Sequence, residues 1–279
     1  MSSTAFSLVL IAALLHAGWN AMVKATGDRA VVLAAVSCVH ALFGLVLVLF
    51  ADPPAPASWP SIFASTVIHY GYYILLFQAY RLGDLSQVYP ISRGLAPAIV
   101  ALGALVFLGE NLTPLGWIGL GAVSVGIGFL AWQRGAPQAS RRAVAVAVIL
   151  GLCIASYSFA DGVGIRLSQS PLGYMGWLFL FEFPVPFFVA LSRMRARKRI
   201  DLGTIGVGLF GGVFAVTAYG LALYAKSIAP LGAVSAVRES SVIFAALIGL
   251  FLFGERPIMG RIVSAAMVAA GVIALARAG

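Results

Sequence analysis

The second half of this chain repeats the first, and each copy places one arginine inside a long apolar segment. Arg93 lies within SQVYPISRGLAPAIVALGALVFLGE, and Arg238 lies within GAVSAVRESSVIFAALIGLFLFGE. The two arginines are 145 residues apart, as are the Gly-Glu pairs that close the segments at 109–110 and 254–255. A charge at membrane depth in a duplicated unit is typical of a polar pathway through a bilayer. The pattern therefore predicts a membrane transporter.

The composition indicates that lipid is the solvent. Of 279 residues, 61% are hydrophobic and 10% are charged, with a mean hydropathy of +1.01, whereas soluble domains carry roughly 25% charged residues. Ten apolar stretches, called spans 1 to 10 here, have the length of a transmembrane helix. They run approximately over 4–24, 31–50, 60–80, 85–108, 113–133, 142–165, 172–192, 202–225, 231–253 and 257–277.

The ten spans divide five and five around a polar loop near residue 139. Because five is odd, the two halves must enter the membrane in opposite orientations. The predicted fold is an all-α membrane protein with ten transmembrane helices in two inverted five-helix repeats, 1–139 and 140–279. Inverted repeats usually hold a substrate site between them near the bilayer midplane.

The basic residues predict the orientation of the chain. The net charge of +9 would suit nucleic acid, but the lysines and arginines fall mostly in short loops between spans, so we predict no nucleic-acid partner. Loops after odd-numbered spans hold thirteen of them: Lys24, Arg29, Arg81, Arg134, Arg141, Arg142, Arg193, Arg195, Arg197, Lys198, Arg199, Arg256 and Arg261. The other side holds Arg166, Lys226 and Arg277. By the positive-inside rule, both termini lie outside.

Several kinds of site have no support in the sequence. Cys38 and Cys153 both fall in apolar stretches, and no spacing typical of metal ligands is present. No nucleophile elbow, phosphate-binding loop or dinucleotide fingerprint occurs in a suitable context. We therefore predict no cofactor, no metal and no enzymatic activity; the expected partners are a small-molecule substrate and the lipid bilayer.

Span 1 carries a polar stripe. His16, Trp19, Asn20 and Lys24 recur at helical spacing and share one face. Trp19 and Asn20 are candidate substrate contacts, although Asn20 could instead bond a neighbouring helix and Lys24 could lie at the membrane surface. In span 3, Tyr73 lies deeper than Tyr80 and is a further candidate, since an amine can stack on its ring.

The two intramembrane arginines are the central candidates for binding substrate. Arg93 and Arg238 cannot lose their protons, so each needs a carboxylate, a carbonyl, water or an anionic ligand. Pro90 and Pro97 flank Arg93 and free backbone carbonyls, which must then be buried in protein or line a cavity. The alternative for Arg93 is to extend toward the nearer membrane surface.

Two acids are candidates for proton coupling. Glu182 lies in FLFEFPVPFF, the most apolar neighbourhood of any acid in the chain, and Glu239 directly follows Arg238. Neighbours in a helix point about 100° apart, so Arg238 and Glu239 are not expected simply to pair with each other, and one of them could pair across the repeat interface. Each acid has an equal alternative as the structural partner of an arginine.

Other residues have expected structural roles. Asp161 is placed near a helix end, as a cap or loop partner. Glu110 and Glu255 are placed at the N-terminal ends of spans 5 and 10, where negative charge is favoured. Small residues dominate spans 5 and 10, which indicates close helix packing within the chain or in a homodimer.

The chain resembles the drug/metabolite transporter superfamily, and within it the EamA-type ten-helix transporters. The resemblance lies in HAGWNAMVK at 16–24, AYRLGDLSQVYPISRGLAP at 79–97 and the Gly-Glu endings of spans 4 and 9. It covers nearly the whole chain and implies two inverted five-helix repeats and secondary active transport, commonly export of amino acids or other small metabolites. Many members are drawn with cytoplasmic termini, whereas the charge count here favours termini outside.

Together these observations predict a secondary active transporter in a bacterial inner (plasma) membrane. It would export an amino acid or related zwitterion or anion by alternating access, coupled to protons. Two other classes stay open: a channel, whose flux would not saturate, and a flippase for lipid-linked anionic headgroups, which would need a lateral opening between helices.

Overall fold

The computed structural model describes residues 1–26, 28–82, 85–133, 141–196, 200–253 and 259–278. Within these residues the chain forms α-helices, one short 3₁₀ turn at Pro56–Ser58 and no strand. The helices are α1 (Ser3–Ala25), α2 (Arg29–Phe50), α3 (Trp59–Leu82), α4 (Leu85–Leu108), α5 (Pro114–Gln133), α6 (Arg141–Leu167), α7 (Pro171–Leu180), α8 (Pro184–Arg195), α9 (Leu202–Ile228), α10 (Leu231–Arg238), α11 (Ser241–Phe253) and α12 (Met259–Arg277).

These helices account for the ten predicted spans, and the predicted all-α membrane fold is confirmed. Seven stretches of the described residues are long and apolar enough to cross a membrane, and two shorter apolar helices lie at 114–130 and 262–277. The halves pack mainly on each other: α1 contacts α9, α3 contacts α6, and α5 contacts α12. Side chains that point between the halves therefore meet in the interior.

Spans 7 and 9 are each built from two helices. Span 7 breaks between α7 and α8, because Pro184 has no N–H for the carbonyl of Leu180 and its ring crowds that carbonyl. The Leu180 carbonyl instead accepts from Phe183 N at 3.0 Å, a tighter 3₁₀-type bond.

The second break, between α10 and α11, contains no proline. Glu239 N and Ser240 N donate to the carbonyls three residues earlier, at 3.1 and 3.0 Å, so the backbone here also has 3₁₀ character. Each break carries an acid singled out from the sequence, Glu182 in the first and Glu239 in the second. Their counterparts in the first half, α2 and α4, run without interruption.

Glycines bring α5 and α12 into backbone contact, which confirms the packing alternative for spans 5 and 10. A Cβ added to Gly271 would lie 2.5 Å from the carbonyl oxygen of Gly119, and a Cβ on Gly119 would lie 2.7 Å from that of Gly271. Such approaches leave no room for a methyl group. Gly121, on an exposed face of α5, would meet nothing within 4 Å.

We expect Gly271→Ala to lower the free energy of unfolding by about 1–3 kcal/mol, since the added methyl must push two helices apart. Gly121→Ala is the matched control on the same helix pair, and it should be neutral or slightly stabilising because alanine is the better helix former. Denaturant unfolding of the purified protein in detergent measures both. Equal stability of the two variants would contradict the close contact.

Candidate functional site

Charged side chains from both halves meet in the protein interior. Those buried among the described residues are Arg93, Asp161, Glu182, Lys226 and Glu239. In a membrane protein such groups are costly unless they are paired or face a polar pathway. Their contacts therefore define the candidate site.

Arg93 and Glu239 form an ion pair that joins the two halves. Arg93 Nε on α4 donates to Glu239 Oε2 at the α10–α11 break, at 3.0 Å, and both side chains are about 5% exposed or less. Arg93 therefore does not extend toward the membrane surface. Of Arg238 and Glu239, it is Glu239 that pairs across the repeat interface, and this pair leaves Arg93 less open to a ligand than the sequence suggested.

Arg238, the last residue of α10, lies beside this pair and is partly exposed. Its Cζ lies 5.5 Å from the centre of the Tyr219 ring on α9, a cation–π distance. Within the described residues no ion pair engages it, and its buried Nε has no hydrogen-bond partner. Of the two intramembrane arginines, Arg238 is the one whose charge is less neutralised and more accessible.

Glu182 contacts polar side chains from the first half of the chain. His40 Nδ1 on α2 lies 2.9 Å from Glu182 Oε1, and the Tyr73 hydroxyl on α3 donates to Oε2 at 3.2 Å. The Tyr70 hydroxyl donates to the carbonyl of Phe181, an acceptor at the helix break. The structure thus joins Tyr73, predicted as a substrate contact, to Glu182, predicted as a coupling group.

His40 is not among the site residues that the sequence predicts, although the sequence carries a signal for it. It is a lone histidine in the middle of the apolar stretch VSCVHALF. An ionisable group within a transmembrane helix is by default a candidate for function or for pairing with another buried charge. Its partner, 142 residues away, could not be read from the sequence.

The polar stripe of α1 is organised around His16. The Trp19 indole N–H donates to His16 Nδ1 at 3.2 Å, and the Asn20 amide donates to the His16 carbonyl at 2.7 Å. His16 itself is within electrostatic range of Arg93 and Arg238. The stripe therefore faces the arginines, with Trp19 and Asn20 both half-buried. The Lys24 side chain lies outside the described residues.

Two expectations from the sequence are wrong because α6 and α9 extend further than the hydropathy indicates. Asp161 is not at a helix end: α6 continues to Leu167, and Asp161 is fully buried, accepting from Tyr174 at 3.2 Å and from Tyr219. Lys226, counted from the sequence with the loop residues, lies in the last turn of α9, is 1% exposed, and donates to the Ser158 carbonyl at 3.1 Å.

Glu110 has a structural role at a different helix from the one expected. Its Oε2 accepts from Leu231 N at 2.8 Å, so it caps α10 and not α5, and its other oxygen pairs with Arg166. Arg166 also donates to the carbonyls of Lys226 and Ala229, at 2.8 and 2.7 Å. These bonds tie α4 and α6 to the α9–α10 connection. Glu255 lies outside the described residues.

Comparisons with known proteins agree with this architecture. The profile of the EamA-like transporter family matches residues 3–132 and again residues 141–277. A solved crystal structure, titled only as that of a protein, is similar over 98% of this chain and 96% of its own, with a TM-score of 0.76 and 15% identity, which supports the fold alone. No curated protein matches the sequence.

The two matches lie on either side of the polar loop and together span both five-helix halves, including every interior charge described above. The chain therefore belongs to the EamA-like transporter family, and it is a multi-pass membrane transporter of the drug/metabolite transporter superfamily.

Proposed function

We propose that this transporter moves an amino acid, or a related small zwitterion or anion, and that Arg238 binds its carboxylate. The observation that carries the proposal is the partly exposed guanidinium of Arg238, set over the Tyr219 ring beside the Arg93–Glu239 pair. A guanidinium binds carboxylates through two parallel hydrogen bonds. Because Glu239 is already engaged by Arg93, the charge of Arg238 remains for a ligand.

Two of the other predicted contacts lie on the helix that carries His16, which is within electrostatic range of both arginines. Trp19 and Asn20 are half-buried and lie on the same face of α1 as His16, which faces the arginines. The aromatic rings of Trp19 and Tyr73 offer faces that attract an ammonium group, so a zwitterion would find complementary partners for both of its charges. We propose Trp19, Asn20, Tyr73, Arg93 and Arg238 as the substrate site, with Arg93 acting through its pair with Glu239.

The two broken helices support alternating access as the mechanism. A short 3₁₀ segment between two regular helices often marks a hinge, and discontinuous helices near the midplane are a feature of transporters built from inverted repeats. Here the hinges would be residues 181–183 and 239–240. Both carry an acid bonded to the other half of the chain, so each hinge is coupled to relative movement of the halves.

We propose Glu182 as the group that couples transport to protons. Its carboxylate holds the α7–α8 break against His40 on α2 and Tyr73 on α3. Adding a proton removes the negative charge that attracts His40, which would loosen the break from the first half. Glu239 was an equal candidate, but its bond to Arg93 favours the structural alternative.

Direction, membrane and assembly are parts of the same proposal. Export is the direction that the family resemblance implies, and the bias of basic residues supports an orientation with both termini outside. The bacterial inner membrane is the location that we propose. A homodimer would use the face of α5 on which Gly121 and Gly128 meet nothing within 4 Å.

Proteoliposomes loaded with an equimolar mixture of the twenty standard amino acids would test the function. Saturable counterflow of a labelled amino acid is the expected result. Flux that rises without saturation would indicate a channel, and movement of a labelled anionic headgroup lipid without amino-acid counterflow would indicate a flippase. Comparing inside-out with right-side-out vesicles reports the direction.

We expect Glu182→Gln to retain counterflow but lose its response to a pH gradient. A gradient of one unit supplies about 1.4 kcal/mol per proton, so the wild type coupled to one proton should accumulate substrate about tenfold and the variant should not. Asp201→Asn removes an exposed carboxylate at the start of α9 and should behave as the wild type. Full accumulation by Glu182→Gln would exclude this residue from coupling.

A further inference from the structure

A second titratable cluster adjoins the proposed site, and its polar groups are not among the proposed substrate contacts. Asp161 on α6, Tyr219 on α9 and His69 on α3 are linked through the Tyr219 hydroxyl, which donates to Asp161 Oδ2 and lies 3.3 Å from His69 Nε2. Asp161 is fully buried and Tyr219 is nearly so. We call these three residues the relay triad.

The bonds of His69 fix where one of its protons must be. His69 Nδ1 lies 2.8 Å from the carbonyl oxygen of Ser65, one turn earlier in α3. Nδ1 also lies 3.3 Å from the Ser65 hydroxyl, which can donate or accept a hydrogen bond. The nearer carbonyl oxygen can only accept, so Nδ1 carries a proton. In neutral histidine the other nitrogen, Nε2, is then an acceptor.

This requirement conflicts with a triad in which Asp161 is ionised and His69 is neutral. The Tyr219 hydroxyl has one proton, and it cannot donate that proton to both the Asp161 carboxylate and the lone pair of His69 Nε2. Both contacts are satisfied when the triad holds one more proton. Either His69 is doubly protonated and donates to Tyr219, or Asp161 is protonated and donates to Tyr219, which donates to His69.

These two arrangements interconvert by movement of protons alone. The Tyr219 hydroxyl passes its proton to one neighbour as it receives a proton from the other, so the net transfer is one proton between His69 Nε2 and Asp161 Oδ2. No bond between heavy atoms is made or broken, and the charge of the triad does not change. The extra proton itself enters from, and returns to, water.

We propose that the relay triad is a proton-binding site that carries the coupling proton across the interior, between α3 and α6. This inference rests on the proposed function, because it gives the route of a proton that the function requires. One end of the triad is near Glu182, which interacts electrostatically with His69. The middle of the triad is adjacent to the proposed substrate site, because the Tyr219 ring lies under Arg238.

The surroundings suit a group that changes its protonation. Lys226 of α9 interacts with Asp161 and Arg238, so a positive charge offsets an ionised Asp161. Tyr174 of α7 donates to Asp161 Oδ1, and Tyr157 of α6 stacks on His69 with ring centres 4.1 Å apart. Arg238 of α10 and Glu182 of the α7–α8 break face the triad from the two remaining elements.

Tyr219→Phe tests the relay, because it removes the hydroxyl and keeps the ring under Arg238. In the amino-acid proteoliposomes, we expect counterflow to persist while accumulation driven by a gradient of one pH unit falls about tenfold, to no accumulation. Tyr224→Phe, an exposed tyrosine on the same helix, is the control and should match the wild type. Tyr174→Phe removes the other hydroxyl from Asp161 but leaves the route to His69, so it should keep its response to the gradient.

The outcomes separate this proposal from the proposed function. If Tyr219→Phe accumulates substrate as fully as the wild type while Glu182→Gln does not respond to the pH gradient, the relay is overturned and the proposed function stands. Equal losses in Tyr174→Phe and Tyr219→Phe, or loss of counterflow in Tyr219→Phe, would indicate a structural role and would also overturn the relay.

A measurement without substrate tests the proton site even if amino acids are not transported. In infrared difference spectra of the purified protein at two pH values, we expect a protonated carboxyl band that Asp161→Asn removes and Tyr219→Phe shifts to a different pH. The same band present in Asp161→Asn, or a pH dependence unchanged in Tyr219→Phe, would contradict a proton shared through Tyr219.

Discussion

Arg238→Ala is expected to weaken substrate binding by roughly 100-fold, the largest functional effect of any single substitution proposed for this protein. A hydrogen bond to a charged group contributes about 1.5–3 kcal/mol, and the guanidinium would make two to a carboxylate in a site shielded from bulk water. The half-saturating concentration for counterflow in proteoliposomes measures the loss.

The structure allows this loss to be separated from misfolding. Removing Arg238 leaves no unpaired buried carboxylate behind, because Glu239 keeps its bond to Arg93 at 3.0 Å. We therefore expect the unfolding transition of Arg238→Ala in detergent to remain near that of the wild type. Arg238→Lys keeps the charge and loses the planar fork, so it should bind with intermediate strength.

Arg277→Ala is the control for charge removal, since Arg277 is exposed at the end of α12. It should leave the half-saturating concentration unchanged. If Arg238→Ala and Arg277→Ala transport the amino-acid mixture equally well, Arg238 does not bind the substrate, and the carboxylate must be bound elsewhere.

Much of the fold could be predicted from the sequence because membrane insertion constrains helices strongly. Each span must hold about twenty apolar residues, and the separation of 145 residues between Arg93 and Arg238 aligns the two halves without reference to structure. The meeting of the two arginine-bearing helices follows from the same repeat. These features depend on hydropathy and periodicity, which are local properties of the chain.

The partners of the interior charges could not be predicted in the same way. Glu182 with His40, and Asp161 with Tyr219, join residues that no sequence spacing relates. The burial of Lys226 depends on where α9 ends relative to α6, which hydropathy locates only within a few residues. Of the two helix breaks, the one at Pro184 had a readable cause, whereas the one at Glu239 had none.

The Arg93–Glu239 pair is where we expect the largest loss of stability. Glu239→Ala would leave the Arg93 guanidinium buried without its carboxylate, at a cost of about 3–5 kcal/mol. Arg93→Ala should cost a similar amount because it leaves a buried carboxylate. Denaturant unfolding in detergent measures each. Asp28→Asn is the matched control, since it breaks the more exposed pair with Arg193 (2.6 Å) and should cost about 1 kcal/mol or less.

The double variant Arg93→Met with Glu239→Leu tests whether the ion pair is needed for stability or for transport. Two apolar side chains of similar size remove both charges together, so most of the lost stability should return, and in other proteins such replacements are often neutral or stabilising. If stability returns while saturable transport does not, the pair is required for transport. The reason would be that Arg93 holds Glu239 away from Arg238 and links the α10–α11 hinge to α4. Recovery of both properties would show that neither charge is needed, and single variants as stable as Asp28→Asn would contradict the buried pair itself.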